Sequence, residues 1–151
     1  PSDAVRPVSF KNLLVGADFS PEADRAAEFA VRIAAPFENA EVSLMHSTQV
    51  AGPFVGVEVP AVPIVEAGES DAVARAGLSE RTKKLSSTGV RVQGLTCPGS
   101  AVEVLLDVAE DRNSDVIVVG KTAATGMSKL LLGSVATDLV HRSTRPVLIV
   151  R

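Results

Sequence analysis

Two kinds of hydrophobic pattern alternate along the chain. Short unbroken apolar runs occur in "NLLVGAD" (12–18), "EVSLMHS" (41–47), "VRVQGLTC" (90–97), "DVIVVG" (115–120) and "RPVLIV" (145–150). Runs this short and this continuous predict strands, and the apolar stretch 116–119 one buried on both faces. Between them, apolar residues recur at three- and four-residue steps, as an amphipathic helix requires. "SPEADRAAEFAVRIAAPF" (20–37) predicts a helix capped by Ser20, with Pro21 in its first turn and Ala23, Ala26, Ala30, Ile33 and Phe37 on the buried stripe. Residues 70–88 predict a weaker helix with Ala74, Leu78 and Leu85 on one face and Gly89 as its stop. "SAVEVLLDVAEDR" (100–112) predicts a helix whose Ser100 and Glu103 have capping-box spacing, and "SVATDLVHRS" (134–143) predicts a fourth.

The resulting order, β-α-β-α-β-α-β-α-β, predicts a parallel sheet covered by helices on both faces. Residues 1–9 read as a loose tail, and the proline-rich 51–68 as a long variable loop. Ligands of such sheets bind beyond the carboxyl ends of the strands. Attention therefore falls on loops 16–20, 46–50, 97–100 and 120–133.

Composition narrows the picture only a little. The 151 residues suffice for one domain, 1–151, and 46% are apolar with no Trp or Tyr, so Ala, Val and Leu must fill the core. A net charge of −3 gives no reason to expect nucleic acid or a membrane surface as partner. No apolar run approaches membrane-spanning length, and no N-terminal segment resembles a secretion signal, so a cytoplasmic location is expected. Cys97 is the only cysteine, so there is no internal disulfide; its place before Pro98 suits a half-buried strand end. Residues 112–151 are enriched in basic side chains: Arg112, Lys121, Lys129, Arg142, Arg145 and Arg151 against Asp115 and Asp138.

Within that basic stretch, Gly120-Lys121-Thr122 looks like the end of a phosphate-binding Walker A loop. The five positions before Gly120 do not fit. They run Asp115 to Val119, a buried strand where the loop needs a glycine-rich arch. Gly120 instead begins a loop that ends at Gly133-Ser134, with Gly126 between. A loop so punctuated can lay backbone N–H groups along a phosphate chain, and Ser134 can cap the following helix, whose N-terminus attracts anions.

Four segments together resemble the universal stress protein family over nearly the whole chain. They are "GADFSPEA" (16–23), "LMHS" (44–47), "PGSAVEVLLDVAEDRNSDVIVVG" (98–120) and "GKTAATGMSKLLLGSVATDLVHRSTRPVLIV" (120–150). The last is similar to the signature of the family's nucleotide-binding branch: G-x-x-G, nine residues, then G-[ST]. Gly120, the nine residues 124–132, and Gly133-Ser134 match, but Ala123 replaces the second glycine. An alanine in a left-handed backbone costs about 1–2 kcal/mol, which weakens a ligand by around tenfold at most; Lys121 can compensate with its ammonium.

The resemblance implies a five-stranded sheet in the order 3-2-1-4-5 and an ATP site, with Mg or Mn carried through the phosphates. It puts Ala17 and Asp18 at the adenine and ribose end and Ser47 at a normally apolar adenine-flanking place. It puts Gly120, Lys121, Thr122, Ala123, Gly126, Gly133, Ser134 and Val135 around the phosphates. It also implies a homodimer through strand 146–150, whose apolar edge invites pairing, and a protein partner that the residues leave unidentified. A regulatory module of the stress response follows. The alternative, a nucleotide-free dimeric interaction protein, turns on Ala123.

Enzyme readings are weaker. Ser134, Asp138 and His141 share one helix face, and side chains on one helix cannot converge as a triad must. No G-x-S-x-G elbow occurs. His46 and His141 lack metal-ligand spacing with Cys97. With no evident base, at most slow hydrolysis of bound ATP is expected.

Overall fold

A computed structural model of the chain describes residues 9–48, 67–121 and 132–151. The expected tail, except Ser9, lies outside the described residues, as does the loop 51–68 up to residue 66.

Nine elements follow one another: β1 (Asn12–Gly16), α1 (Pro21–Ala34), β2 (Glu41–Thr48), α2 (Ala67–Ser86), β3 (Arg91–Pro98), α3 (Ala101–Asp111), β4 (Val116–Gly120), α4 (Ser134–Arg142) and β5 (Val147–Val150). The strands form one sheet in the order β3-β2-β1-β4-β5, every pairing parallel. Register aligns Gly16 with Met45 and Val15 with Val118. The chain runs outward from β1 to β2 and β3, then crosses back to β4 on the other side. The switch point of the topology therefore lies between β1 and β4.

Side chains of β1 alternate between two cores. Leu13 and Val15 pack with Ala26, Ala30 and Ala34 of α1 and Leu78 and Leu85 of α2. Leu14 packs with Val102, Leu105 and Ala109 of α3 and Leu139 of α4. All three β1 residues are fully buried, which explains the unbroken apolar run. Each such burial contributes roughly 1.5–3 kcal/mol. The small alanine stripe lets α1 lie close to the strands.

Helix ends depart from expectation in four places. Ser20 does cap α1, its Oγ accepting the N–H of Ala23 at 3.1 Å, worth about 1 kcal/mol. Helix α1 ends at Ala34, so Phe37 lies past it, yet Phe37 still packs against the core from the turn. Ser100 precedes α3 without a side-chain cap bond, so the capping box does not form. Ser134 is not a cap: it is the first residue of α4, and Gly133 stands at the cap position with no side chain to offer. Spacing alone locates a helix start to within a residue or so, and the cap role changes with that residue. Helix α2 starts three residues before its expected position, and its Ala74, Leu78 and Leu85 are buried as the pattern implies.

At the N-terminal end of the sheet, polar groups pair with one another. The Asp115 carboxylate accepts the backbone N–H of Lys11 and of Asn12, both at 2.9 Å. Glu41 accepts from Arg91, Arg112 and Gln93, and Gln93 and Arg112 also donate to the buried Ser43 hydroxyl. Arg145 donates to the Ser114 carbonyl at 2.6 Å and to Glu110 at 3.1 Å, tying the start of β5 to the α3–β4 turn.

Candidate functional site

The opposite end of the sheet is open. A cavity of about 400 Å³ lies over the carboxyl ends of β1, β2 and β4, within the range of small-molecule sites. Its floor is Gly16, Met45, Val119 and Gly120, at or near the carboxyl ends of the three strands. One wall is Ala17, Asp18, His46 and Ser47; the other is Ala101 and Leu105 of α3 with Gly133, Ser134, Val135 and Ala136 at the start of α4. Apolar side chains from Ala17, Met45, Leu105 and Val119 suit a flat, apolar ring. Among the described residues no side chain caps α4, and its first-turn N–H groups carry the partial positive charge of a helix N-terminus beside the cavity.

The first wall is tightly tied. Ala17 donates its N–H to the Met45 carbonyl at 2.8 Å. Its carbonyl lies 2.7 Å from His46 Nδ1. A carbonyl can only accept, so that nitrogen carries the proton. Asp18 Oδ1 accepts both the N–H (2.9 Å) and the hydroxyl of Ser20. The Asp18 carboxylate thus helps to set the turn into α1.

Gly120 has a packing reason of its own. A Cβ there would lie 2.6 Å from both the backbone carbon and oxygen of Glu22. Only glycine lets the end of β4 approach the first turn of α1 so closely. Lys121 does not line the cavity; its N–H donates to the Val150 carbonyl at 2.8 Å, extending the β4–β5 ladder.

The cavity therefore gathers Ala17, Asp18, Ser47, Gly120, Gly133, Ser134 and Val135 from the residues singled out in the sequence. Thr122, Ala123 and Gly126 lie outside the described residues. Ala101, Leu105 and Ala136 escaped notice because an apolar helix residue that faces a cavity looks the same in sequence as one that faces the core. In the sequence His46 stands out only within "LMHS" and as a histidine without metal-ligand spacing. Its position at the end of β2, beyond the buried run, was the available signal. Ser134, Asp138 and His141 are all exposed on α4. Among the described residues no group of His, Cys, Asp or Glu could hold a metal ion, and no helix is long and apolar enough to cross a membrane.

Comparison with known proteins adds a second, independent line. The family model described as "Universal stress protein family" matches residues 9–151. Universal stress protein MJ0531 of Methanocaldococcus jannaschii is 30% identical over 148 residues, covering 94% of this chain and 82% of its own. Among solved structures, a universal stress protein in complex with cAMP aligns with a TM-score of 0.70 at 24% identity, over 95% of this chain and 98% of that one. The universal stress protein from Archaeoglobus fulgidus in complex with dAMP aligns at 0.68 and 20% identity, over 94% and 98%.

Proposed function

The chain belongs to the universal stress protein family, and on that premise we propose that it is an adenine-nucleotide-binding regulatory module of the stress response. The observation that carries this reading is the cavity itself. It sits at the topological switch point, apolar where a base would lie and bounded by the N-terminus of α4 where phosphates would lie. The cAMP and dAMP complexes of similarly folded proteins support the same ligand class. ATP is the nucleotide proposed here. The base lies between Ala17 and Ser47, a ribose hydroxyl donates to Asp18, and the phosphates run toward Gly133, Ser134 and Val135. Thr122, Ala123 and Gly126 complete the phosphate loop, with Lys121 nearby. Mg or Mn enters on the phosphates, since the described residues offer no ligand cluster of their own. The module works in the cytoplasm as a binding protein, not a dedicated enzyme.

Calorimetric titration with ATP tests the reading. Binding is expected for the wild type and lost in Gly133→Val, because the branched side chain projects into the phosphate path. Gly133 has φ −62° and ψ 158°, a conformation valine adopts without strain, so the variant stays folded. No heat from folded wild type at millimolar ATP would overturn the reading. Ala123 favours the second reading, a nucleotide-free interaction protein, which that result would leave standing.

Under either reading the chain pairs with its own copy through β5. This strand is the sheet's edge beyond β4, and its four apolar residues are only partly buried. Pro146 lacks an N–H, so pairing runs through 147–150. Light scattering is expected to give a dimer for the wild type and a monomer for Leu148→Pro.

A further inference from the structure

Phe19 is a bulky residue with φ 63°. That left-handed backbone is strained for any side chain with a Cβ, and it persists only when the surroundings hold it. Phe19 does not line the cavity, but three residues of the first wall beside it do. Ala17 and Asp18 precede it in the loop, and His46 stacks on its ring, with centroids 4.4 Å apart and planes 21° from parallel.

The Phe19 ring also has a seat on α2. The Arg81 guanidinium carbon lies 4.7 Å from its centroid, in cation–π range. One turn earlier on the same helix face is Gly77. A Cβ there would come within 3.3 Å of two ring atoms, so a larger residue would crowd the ring out. Arg81 is itself anchored on three sides. Its Nε and Nη2 hold Asp24 of α1 at 2.6 and 3.3 Å. Its Nη1 donates to the Gly77 carbonyl at 3.2 Å and its Nη2 to the Phe19 carbonyl at 3.4 Å. The guanidinium thus fastens α2, α1 and the loop 17–20 together. A planar five-donor fork can do this; a lysine ammonium, with one point of charge, cannot.

We propose that Arg81 and Gly77, outside the cavity, are positioning residues for the nucleotide: they seat Phe19 against His46 and so hold Ala17 and Asp18 where the nucleoside needs them. The chain of contacts is short. Arg81 holds the ring, the ring fixes the imidazole plane, and the imidazole's Nδ1–H holds the Ala17 carbonyl at 2.7 Å. With the seat gone, the strained turn relaxes and this wall of the cavity moves. The affinity part of the proposal rests on the nucleotide reading above; the seating part does not.

The experiment has two arms on the full chain. First, the chain has two histidines, so the His46 Cε1–H resonance is readily followed by NMR, and the Phe19 ring current displaces it. Arg81→Ala and Gly77→Val are expected to shift it toward its position in Phe19→Leu, with Arg81→Lys in between. An unmoved His46 resonance in folded Arg81→Ala and Gly77→Val overturns the seat, whether or not nucleotide binds. Second, Arg81→Ala is expected to weaken ATP and uncharged adenosine equally, by roughly tenfold. A loss confined to ATP would mean that Arg81 acts through its charge on the phosphates, and the positioning role would fall. If the wild type binds neither ligand, the nucleotide reading fails, and the NMR arm alone still decides the seat.

Discussion

At the N-terminal end of the sheet, Asp115 commits its carboxylate to two backbone N–H groups, and Glu41, Arg112, Gln93 and Ser43 satisfy one another. At the C-terminal end, the strands stop under a 400 Å³ cavity, and α4 begins with no side chain on its cap. The same sheet therefore has one end where polar side chains bond largely to one another and one end where β1, β2 and β4 run into a cavity. Polar groups that satisfy each other stabilise the fold and leave little for a ligand. Groups without a side-chain partner contribute less to stability, and a ligand can use them. Even within the open end the two walls differ. The 17–20 wall is tied internally and held from α2, whereas among the described residues no side chain caps the wall at 133–136.

The comparison implies that changes at the closed end alter stability and spare binding, whereas changes at the open end do the reverse. Gly120 is the expected exception and the largest effect. It sits at the open end, yet a methyl group there meets the Glu22 backbone, so Gly120→Ala is expected to cost about 3 kcal/mol in urea unfolding. A stability near wild type would show that the α1 contact is not what requires glycine. Next comes Asp115→Ala, which leaves the N–H groups of Lys11 and Asn12 without their acceptor. It is expected to cost about 2 kcal/mol while the ATP dissociation constant stays within about twofold of wild type, well under the tenfold that 1.4 kcal/mol represents. A large loss of affinity would break the separation of the two ends.

Ala123→Gly addresses the open end alone. Calorimetry is expected to show ATP binding tightened by up to about tenfold, with an unchanged urea midpoint. Unchanged or weaker binding would mean that the bound loop is not left-handed at 123. The smallest effect belongs to Ser20→Ala, which sits where the two roles meet. Losing the α1 cap is expected to cost about 1 kcal/mol. Because Ser20 also holds Asp18, ATP and adenosine are both expected to bind more weakly, by a factor of about three, less than half of a tenfold step on the energy scale. Full affinity would show that the loop does not need Ser20 to place the Asp18 carboxylate.

The chain by itself determined the elements and their layering, because burial leaves a periodic trace. Leu13, Leu14 and Val15 must all be apolar if β1 is covered on both faces, and Ala23, Ala26 and Ala30 must fall on one stripe of α1. Glycine and proline marked most ends for a similar local reason. The glycines of loop 120–134 also pointed to the end of the sheet where the cavity lies. Tertiary structure alone decided the rest. Whether Ser100 or Ser134 caps a helix depends on where the chain turns, not on spacing. That Gly120 answers to Glu22, nearly a hundred positions away, is a contact between elements and leaves no local pattern. The joining of Arg81, Phe19 and His46 is of the same kind. These residues lie on a helix, a turn and a strand that the sheet order brings together, and no periodicity in one segment can encode a distance to another.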